Sequence, residues 1–193
     1  GLDTYWLGVM VRSKVEVNSF EEIKRKKYPL KMMLLPPGSL GELGARQILE
    51  AYGISASDIK SWGGSVTNTS FEVIVSAMQD GRTDCFIQVI TPGHPSVMEL
   101  AVTTGLKFLP LNEEVIGRLG GMGWDSSVIP SGTFKGQDKS VRTVGFSSGV
   151  IVTDKFPQDV AYLLTKIVNE NKDPLVQVYN AVKVFDPQTA WQE

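Results

Sequence analysis

The sequence predicts an α/β fold in which buried strands alternate with amphipathic helices. Apolar runs of strand length, such as Lys31 to Leu35 and Cys85 to Ile90, are separated by stretches whose apolar residues recur at helical spacing. Glycine and proline mark the turns between them. A chain of 193 residues with 42% hydrophobic content is long enough to bury a sizeable core. This alternation indicates a largely parallel sheet, whose ligands bind beyond the carboxyl ends of the strands.

The first half of the chain contains two strands and two helices by these criteria. Residues 5–12 form a mostly apolar run, which is typical of a strand buried on both faces. Ser19 and Glu22 form a capping box that opens a short helix, and Pro29 ends it. After the strand at residues 31–35, helical spacing predicts a helix from Leu40 to Gly53.

The second half continues the same alternation. A helix from Phe71 ends at Gly81, a strand follows at 85–90, and Pro95 opens another helix. The remaining predicted elements are a strand at 106–109, a helix capped by Asn112, a broken strand at 141–152, a helix opened by Phe156-Pro157 and a helix opened by Asp173-Pro174. Residues 62–70 and 117–136 are interpreted as loops.

One helix carries a strong amphipathic pattern near the carboxyl end of the chain. After Pro157, apolar residues recur every three or four positions, which predicts a single face turned toward a core. The residues expected to face inward are Val160, Leu163, Leu164, Ile167 and Val168.

Charge and composition exclude several classes of function. Lysine and arginine number 19 against 21 acidic residues, so the formal net charge of −2 offers no general attraction to nucleic acid. The single Cys85 cannot form an internal disulfide, and the single His94 cannot supply a metal cluster. A buried inert thiol is favoured for Cys85. No apolar run is long enough to span a bilayer, and the first residues show no secretion signal, which a mature chain would also lack.

The loop between the second strand and its helix is the first candidate binding element. It contains Gly38, Ser39, Leu40 and Gly41, and the unpaired N–H groups of a helix start favour a carboxylate or phosphate there. Neither a phosphate-loop lysine nor the glycine spacing of a dinucleotide fingerprint is present. Ser39 acting only as a helix cap is the alternative.

Other polar residues are expected at the same edge of the sheet. A hydroxyl-rich loop offers Ser65, Thr67 and Asn68, although a plain turn and cap would also explain it. Gln88 and Thr91 end the next strand and are expected to face the side that Ser39 faces. The convergence of three loops predicts a ligand site. For His94 a ligand contact, a helix cap and an exposed position all remain open.

No catalytic constellation is visible in the sequence. A Ser/His/Asp pattern, paired carboxylates and Cys/His metal spacing are all missing, so binding is favoured over catalysis and no cofactor is expected. The alternatives are a small hydrolase using Ser39 or His94 and a small-molecule-sensing domain.

Several stretches together resemble one known family. They are Pro37-Gly38-Ser39, Ala45 to Gly53, Pro95 to Ala101, and the ten-residue stretch Ile129-Pro130-Ser131-Gly132-Thr133-Phe134-Lys135-Gly136-Gln137-Asp138. In this order they resemble the TAXI family, the solute-binding subunits of one class of TRAP transporter. The resemblance covers roughly residues 9–170, and the last stretch is its most specific part.

The resemblance implies a periplasmic-binding-protein type II fold, in which two α/β lobes are joined by crossing strands. Residues 1–13 would be the first crossover, 14–140 the second lobe with a doubly wound mixed sheet, 141–153 the return crossover and 154–193 helices of the first lobe. Most of the first lobe would precede residue 1, so the chain alone is expected to bind weakly.

The resemblance also implies a partner and a place. Such proteins deliver small organic acids, glutamate or related dicarboxylates, to a sodium-driven membrane permease, and they work in the periplasm or another extracytoplasmic space. The family's Gly-Ser-Gly-Thr-Glu stretch is Gly38-Ser39-Leu40-Gly41-Glu42 here, so the threonine hydroxyl is missing, and the sequence also departs from the family in the loop from Thr91 to Pro95. Trp124 stands where the family tends to have tyrosine, so it is included among the expected ligand contacts.

Overall fold

The computed structural model describes residues 1–190. They divide into two compact units. The larger unit spans residues 6–145, and the smaller unit combines residues 1–5 with the chain from residue 146 onward. The helix predicted after Pro157 therefore belongs to a different unit from the strands at 31–35 and 85–90. The boundaries between the two units lie between residues 5 and 6 and between residues 145 and 146. The predicted lobe, in contrast, begins at residue 14 and ends at residue 140.

Seven strands form one mixed sheet among the described residues. They are β1 (Thr4–Arg12), β2 (Lys31–Leu34), β3 (Ser65–Asn68), β4 (Cys85–Ile90), β5 (Leu106–Phe108), β6 (Asp125–Ile129) and β7 (Val141–Ser147). The order is β3-β2-β4-β1-β7-β6, and β5 also pairs with β1. Strand β2 runs parallel to β3 and β4, whereas β1 is antiparallel to β4 and β5. The predicted α/β arrangement with a mixed sheet is confirmed.

Six helices lie in the larger unit. They are α1 (Phe20–Lys26), α2 (Leu40–Ala51), α3 (Ala56–Ser61), α4 (Phe71–Asp80), α5 (Pro95–Thr103) and α6 (Glu113–Gly120). Four of them begin at a side chain that accepts a hydrogen bond from a backbone N–H of the first turn, as helix starts require. These caps are Ser19, Ser39, Ser55 and Asn112, at 3.2, 3.3, 3.0 and 2.8 Å.

The core of the larger unit lies where β1 and β4 meet their covering helices. Trp6 and Met10 of β1 and Phe86 of β4 are almost completely buried. They belong to one cluster with Leu35, Ile74, Met78, Ile90, Val97, Leu100, Ala101, Leu106, Phe108, Ile129, Phe134 and Val141. Strands β1 and β4 read as apolar runs because they lie in the middle of the sheet, with neighbours on both sides.

Two segments interpreted as loops are partly strands. Residues 65–68 form β3, and 125–129 form β6. Both lie at the ends of the sheet order, and apart from Val66, Val128 and Ile129 their residues are polar, so the apolar signal is weak. The approach to β3 needs Gly64, because a Cβ there would lie 2.3 Å from the Leu30 carbonyl oxygen.

The smaller unit contains α7 (Gln158–Glu170), α8 (Lys172–Val178) and a 3-10 helix (Asn180–Val184). The prediction that the apolar face of α7 is turned inward is wrong for the described residues. Val160, Leu163, Leu164 and Ile167 are 43%, 53%, 38% and 50% exposed, and Val168 is half-buried. An amphipathic pattern identifies an apolar face, but it does not say what covers that face.

Candidate functional site

The candidate site lies at one edge of the larger unit's sheet. Because β3, β2 and β4 are parallel, their carboxyl ends at Asn68, Leu34 and Ile90 point to the same edge. The segments that leave this edge lead directly into α2, α4 and α5. Three helix starts, each with unpaired N–H groups, therefore follow neighbouring strands.

Ser39 acts as the N-cap of α2. Its Oγ accepts a hydrogen bond from the Glu42 N–H at 3.3 Å and donates to the Pro36 carbonyl at 2.9 Å. Gly38 has a φ of +89°, which favours glycine, and its N–H donates to Glu42 Oε2 at 3.4 Å. Leu40 is exposed on the first turn. Ser39 therefore caps α2, which was the alternative considered for it, and its neighbours Gly38 and Leu40 are exposed.

Gln88 packs against the first turn of the same helix. A Cβ on Gly41 would lie 2.4 Å from Gln88 Oε1, so a larger residue at this position would displace the Gln88 side chain. That oxygen accepts a hydrogen bond from the Val89 N–H at 2.8 Å, and β1 lies alongside with Gly8 opposite Gln88. The structure therefore brings Gln88 and Gly41 together, as the order of strands and loops predicted.

Asn68 joins the end of β3 to residues 35–39, the segment before α2 that is called the Ser39 loop below. Its Nδ2 donates to the Leu35 carbonyl at 2.7 Å. Thr67 precedes it on the exposed strand. Ser65 lies at the opposite end of β3, roughly 10 Å away at the rise of an extended strand, so it is not brought to this edge. Of the three residues predicted from this stretch, Asn68 is the one that contacts the Ser39 loop.

His94 lies at the start of α5, immediately before Pro95. Its N–H donates to the Thr91 carbonyl at 3.1 Å, and its ring meets Phe71 edge-on at 5.7 Å between centroids. Nδ1 is buried and makes no hydrogen bond, and the side chain does not cap the helix. Burial lowers the pKa of His94 below its ordinary 6.5, because an apolar surrounding disfavours the imidazolium.

We expect the stability of the protein to fall in mild acid through His94. The pKa of His94 is lower in the folded protein than in the unfolded chain. The stability contributed by the neutral imidazole is therefore complete above pH 6.5 and is lost as the pH falls toward the pKa of the folded protein. The free energy of unfolding should decrease between about pH 7 and pH 5, and less so in His94→Gln. Because this is the single histidine, its proton NMR signal reports the titration directly. A midpoint at or above pH 6.5 would contradict the prediction.

Trp124 contacts the middle of α2. Its indole N–H donates to Gln47 Oε1 at 2.7 Å. The ring also packs close to Gly44, since a Cβ added to that glycine would lie 3.2 Å from Trp124 Cη2. Gln47 is eight residues beyond Ser39, about 12 Å along α2. Trp124 is 6% exposed, so in this structure it is a packing residue between α2 and the segment before β6.

A cavity of about 570 Å³ adjoins the candidate site and was not predicted. Its lining residues are Leu34, Glu42, Arg46, Leu49, Glu50, Gly53, Ile54, Ser55, Ala56, Asp58, Val66 and Asn68. Asn68 and Glu42 connect the cavity to the loop before α2, through hydrogen bonds to the Leu35 carbonyl and from the Gly38 N–H. Glu42 could have been identified from the Ser-x-x-Glu spacing, which places a carboxylate at the third helical position. The cavity itself depends on α3, which the sequence did not reveal.

Other reactive groups in the described residues are few. Cys85 is buried, and burial raises the pKa of its thiol, so it is not a reactive thiolate. Within residues 1–190, no three His, Cys, Asp or Glu side chains are grouped so that they could hold a metal ion. None of the helices in this part of the chain combines the length and apolar character needed to cross a bilayer.

A family model described as the NMT1-like family matches residues 4–193. The chain belongs to the NMT1-like family. Similar solved structures include an R. palustris protein with adipate (11% identity, TM-score 0.47, 94% of this chain and 56% of that one). Two others are the alkanesulfonate-binding protein SsuA from Xanthomonas axonopodis pv. citri bound to MOPS (14%, 0.46, 98% and 57%) and the periplasmic binding protein BugD (14%, 0.45, 93% and 56%). This NMT1-like chain spans a little over half the length of each.

Proposed function

We propose that this chain forms the ligand-contacting lobe of an extracytoplasmic solute-binding protein that captures a small organic anion. The observation that carries the proposal is the meeting of Asn68, the Ser39 loop and Gln88 at one edge of the sheet. His94 and Thr91 lie in the segment that follows β4 at the same edge. Pockets of this composition, with a few convergent polar groups, are typical of small-molecule sites.

The proposed capture of an anion rests on neutral groups. The formal net charge of −2 gives no general attraction to anions. The candidate residues at the sheet edge are mostly glycines and residues with hydroxyl or amide side chains. Backbone N–H groups at the starts of α2, α4 and α5 supply partial positive charge without a cation. This arrangement suits a carboxylate better than it suits an apolar ligand.

The motifs described above support a finer proposal, a TAXI-type TRAP transporter subunit. Under it, the solute is glutamate or a related dicarboxylate, the partner is a sodium-driven membrane permease, and the protein works in the periplasm or an equivalent space. Residues 14–140 are proposed as one lobe and 154–193 as helices of the other. The exposed apolar face of α7 agrees with a lobe that further polypeptide completes.

The contacts of the two candidate catalytic residues favour binding over a hydrolase. The Ser39 hydroxyl donates its hydrogen to the Pro36 carbonyl, which is not a base that activates a nucleophile. His94 packs on Phe71 instead. A sensing domain would use the same ligand contacts and differ only in what the ligand triggers.

Equilibrium titration of the full-length protein against a panel of organic acids tests the proposal. We expect one or a few small carboxylates to bind and to be recovered chemically unchanged from the complex. Conversion of the bound compound, with turnover lost in Ser39→Ala or His94→Gln, would favour the hydrolase. A panel without any binder would contradict a solute-binding role.

A further inference from the structure

The imidazole ring of His94 is held in a defined place between the starts of two helices. The backbone is fixed on both sides, because the His94 N–H donates to the Thr91 carbonyl at 3.1 Å and the His94 carbonyl accepts from the Met98 N–H at 3.0 Å. The ring meets Phe71, the first residue of α4, edge-on. Phe71 in turn contacts Phe86 of β4, with 6.3 Å between ring centroids. The ring therefore lies between the segments that follow β3 and β4.

The two ring nitrogens have different surroundings. Nδ1 is buried and has no hydrogen-bond partner among the described residues, whereas His94 as a whole is half-buried. The Nε2 end of the ring is thus the end that solvent or a ligand can reach. A neutral imidazole carries one proton, so one nitrogen donates and the other accepts. Because an N–H at the buried end would lack an acceptor, the proton is favoured on Nε2.

The ring carries no positive charge near neutral pH. Burial lowers the pKa of His94, the contact with its own backbone acts in the opposite direction, and no charged side chain is among the causes. The carboxylates on the two flanking helices are engaged elsewhere. Glu72 of α4 accepts from its own N–H, and Glu99 of α5 accepts from Gln79 at 3.0 Å. Strand β4 ends in Gln88-Val89-Ile90, without a titratable residue.

We propose that neutral His94 donates a hydrogen bond to the solute through Nε2–H and thereby selects an acceptor oxygen at this point of the site. The inference rests on the proposed function, because it assigns one contact within the same site. The buried Nδ1 fixes the tautomer, and the contact with Phe71 fixes the orientation of the ring. A carboxylate or sulfonate oxygen satisfies this donor. An ammonium or guanidinium group in its place would leave two donors facing each other.

The tautomer is tested on the full-length wild-type protein without any ligand. Long-range nitrogen–proton NMR correlation distinguishes a protonated from an unprotonated ring nitrogen, and the His94 signals are those that His94→Gln lacks. We expect the proton on Nε2 at about pH 7.5. A proton on Nδ1, or on both nitrogens, overturns the inference whatever the ligand.

Two amide substitutions separate the roles of the ring nitrogens in binding. Glutamine places its amide nitrogen near the position of Nε2, and asparagine places it near Nδ1. Asparagine is also favoured at a helix N-cap, so His94→Asn preserves the start of α5. Calorimetry on the full-length protein uses succinate, glutarate and glutamate. We expect the best binder to bind His94→Gln within about threefold of wild type and His94→Asn at least about tenfold more weakly.

The other outcomes of this titration are distinct. Unchanged affinity in both variants, or an equal loss in both, overturns the inference and leaves the proposed function standing. Failure of all three acids to bind the wild type contradicts the proposed function and the inference together.

Proton linkage gives an independent measurement of the charge on His94 in the complex. The same titration of the wild type is made in Tris and in triethanolamine, two cationic buffers whose ionisation enthalpies differ. A neutral donor takes up no proton on binding, so we expect equal binding enthalpies in the two buffers at about pH 7.5. Proton uptake that His94→Gln abolishes would mean that the imidazolium binds the solute, which overturns the inference.

Discussion

Replacement of Phe134 by alanine is expected to lower the free energy of unfolding by about 3–5 kcal/mol. Phe134 is 2% exposed and stacks on Phe108 with ring centroids 5.1 Å apart. It belongs to the ten-residue stretch at 129–138 that is the most specific part of the TAXI resemblance. Loss of the ring leaves a cavity in the main core of the larger unit, which surrounding residues refill only in part.

Urea denaturation measures this change, and the neighbouring Lys135→Ala is the matched control. Lys135 is exposed, so its replacement should change stability by less than about 0.5 kcal/mol. A loss below about 1 kcal/mol in Phe134→Ala would mean that the loop does not depend on its aromatic anchor. The structure also explains why the motif continues to Gln137. The Gln137 Nε2 donates to the carbonyls of Pro130 and Lys139 at 2.9 and 3.0 Å, which closes the loop from inside.

The central elements of the fold could be predicted because local signals decided them. The caps at Ser19, Ser39 and Asn112 are one hydrogen bond each, made within four residues of the chain. Strands β1 and β4 are apolar on both faces, so their burial is visible in the sequence. Such signals need no knowledge of distant residues.

The missed elements depend on distant partners. Strand β3 consists of Ser65-Val66-Thr67-Asn68 and exists because its backbone pairs with β2, more than thirty residues earlier. Strand β6 exists by pairing with β7 within a segment where glycine suggested a loop. The exposure of α7 has the same origin, since helical periodicity predicts a face without its covering partner.

In the candidate site, too, some residues could be predicted from local signals and others depend on distant partners. The order of strands and helices predicted that the Ser39 loop and His94 follow the carboxyl ends of neighbouring strands and that Gln88 lies near the end of its strand, and the structure shows this arrangement. Trp124 was included by family resemblance, and the structure places it against Gln47 of α2 instead. The cavity beside α2 was not predicted because α3 and β3, which line part of it, were not predicted.

Loss of the groups that hold the α2 loop should have the largest effect on ligand affinity. Ser39→Ala removes a donor and a cap, and Asn68→Ala removes the bond to the Leu35 carbonyl. Each should weaken binding by tenfold or more, since a hydrogen bond to a charged group contributes about 1.5–3 kcal/mol. Ser39→Asp separates capping from binding, because aspartate caps a helix equally well but repels an anion. Its stability should be retained while its affinity is lost.

The most direct test of a ligand site at this edge is titration calorimetry on the full-length protein with its best-binding carboxylate. Wild type, Ser39→Ala, Asn68→Ala and Thr103→Ala are compared, the last losing a hydroxyl that donates to the Glu99 carbonyl within α5. The site described above predicts that the first two variants lose affinity by tenfold or more and that Thr103→Ala binds as wild type does. Unchanged affinity in both Ser39→Ala and Asn68→Ala would show that the ligand binds elsewhere.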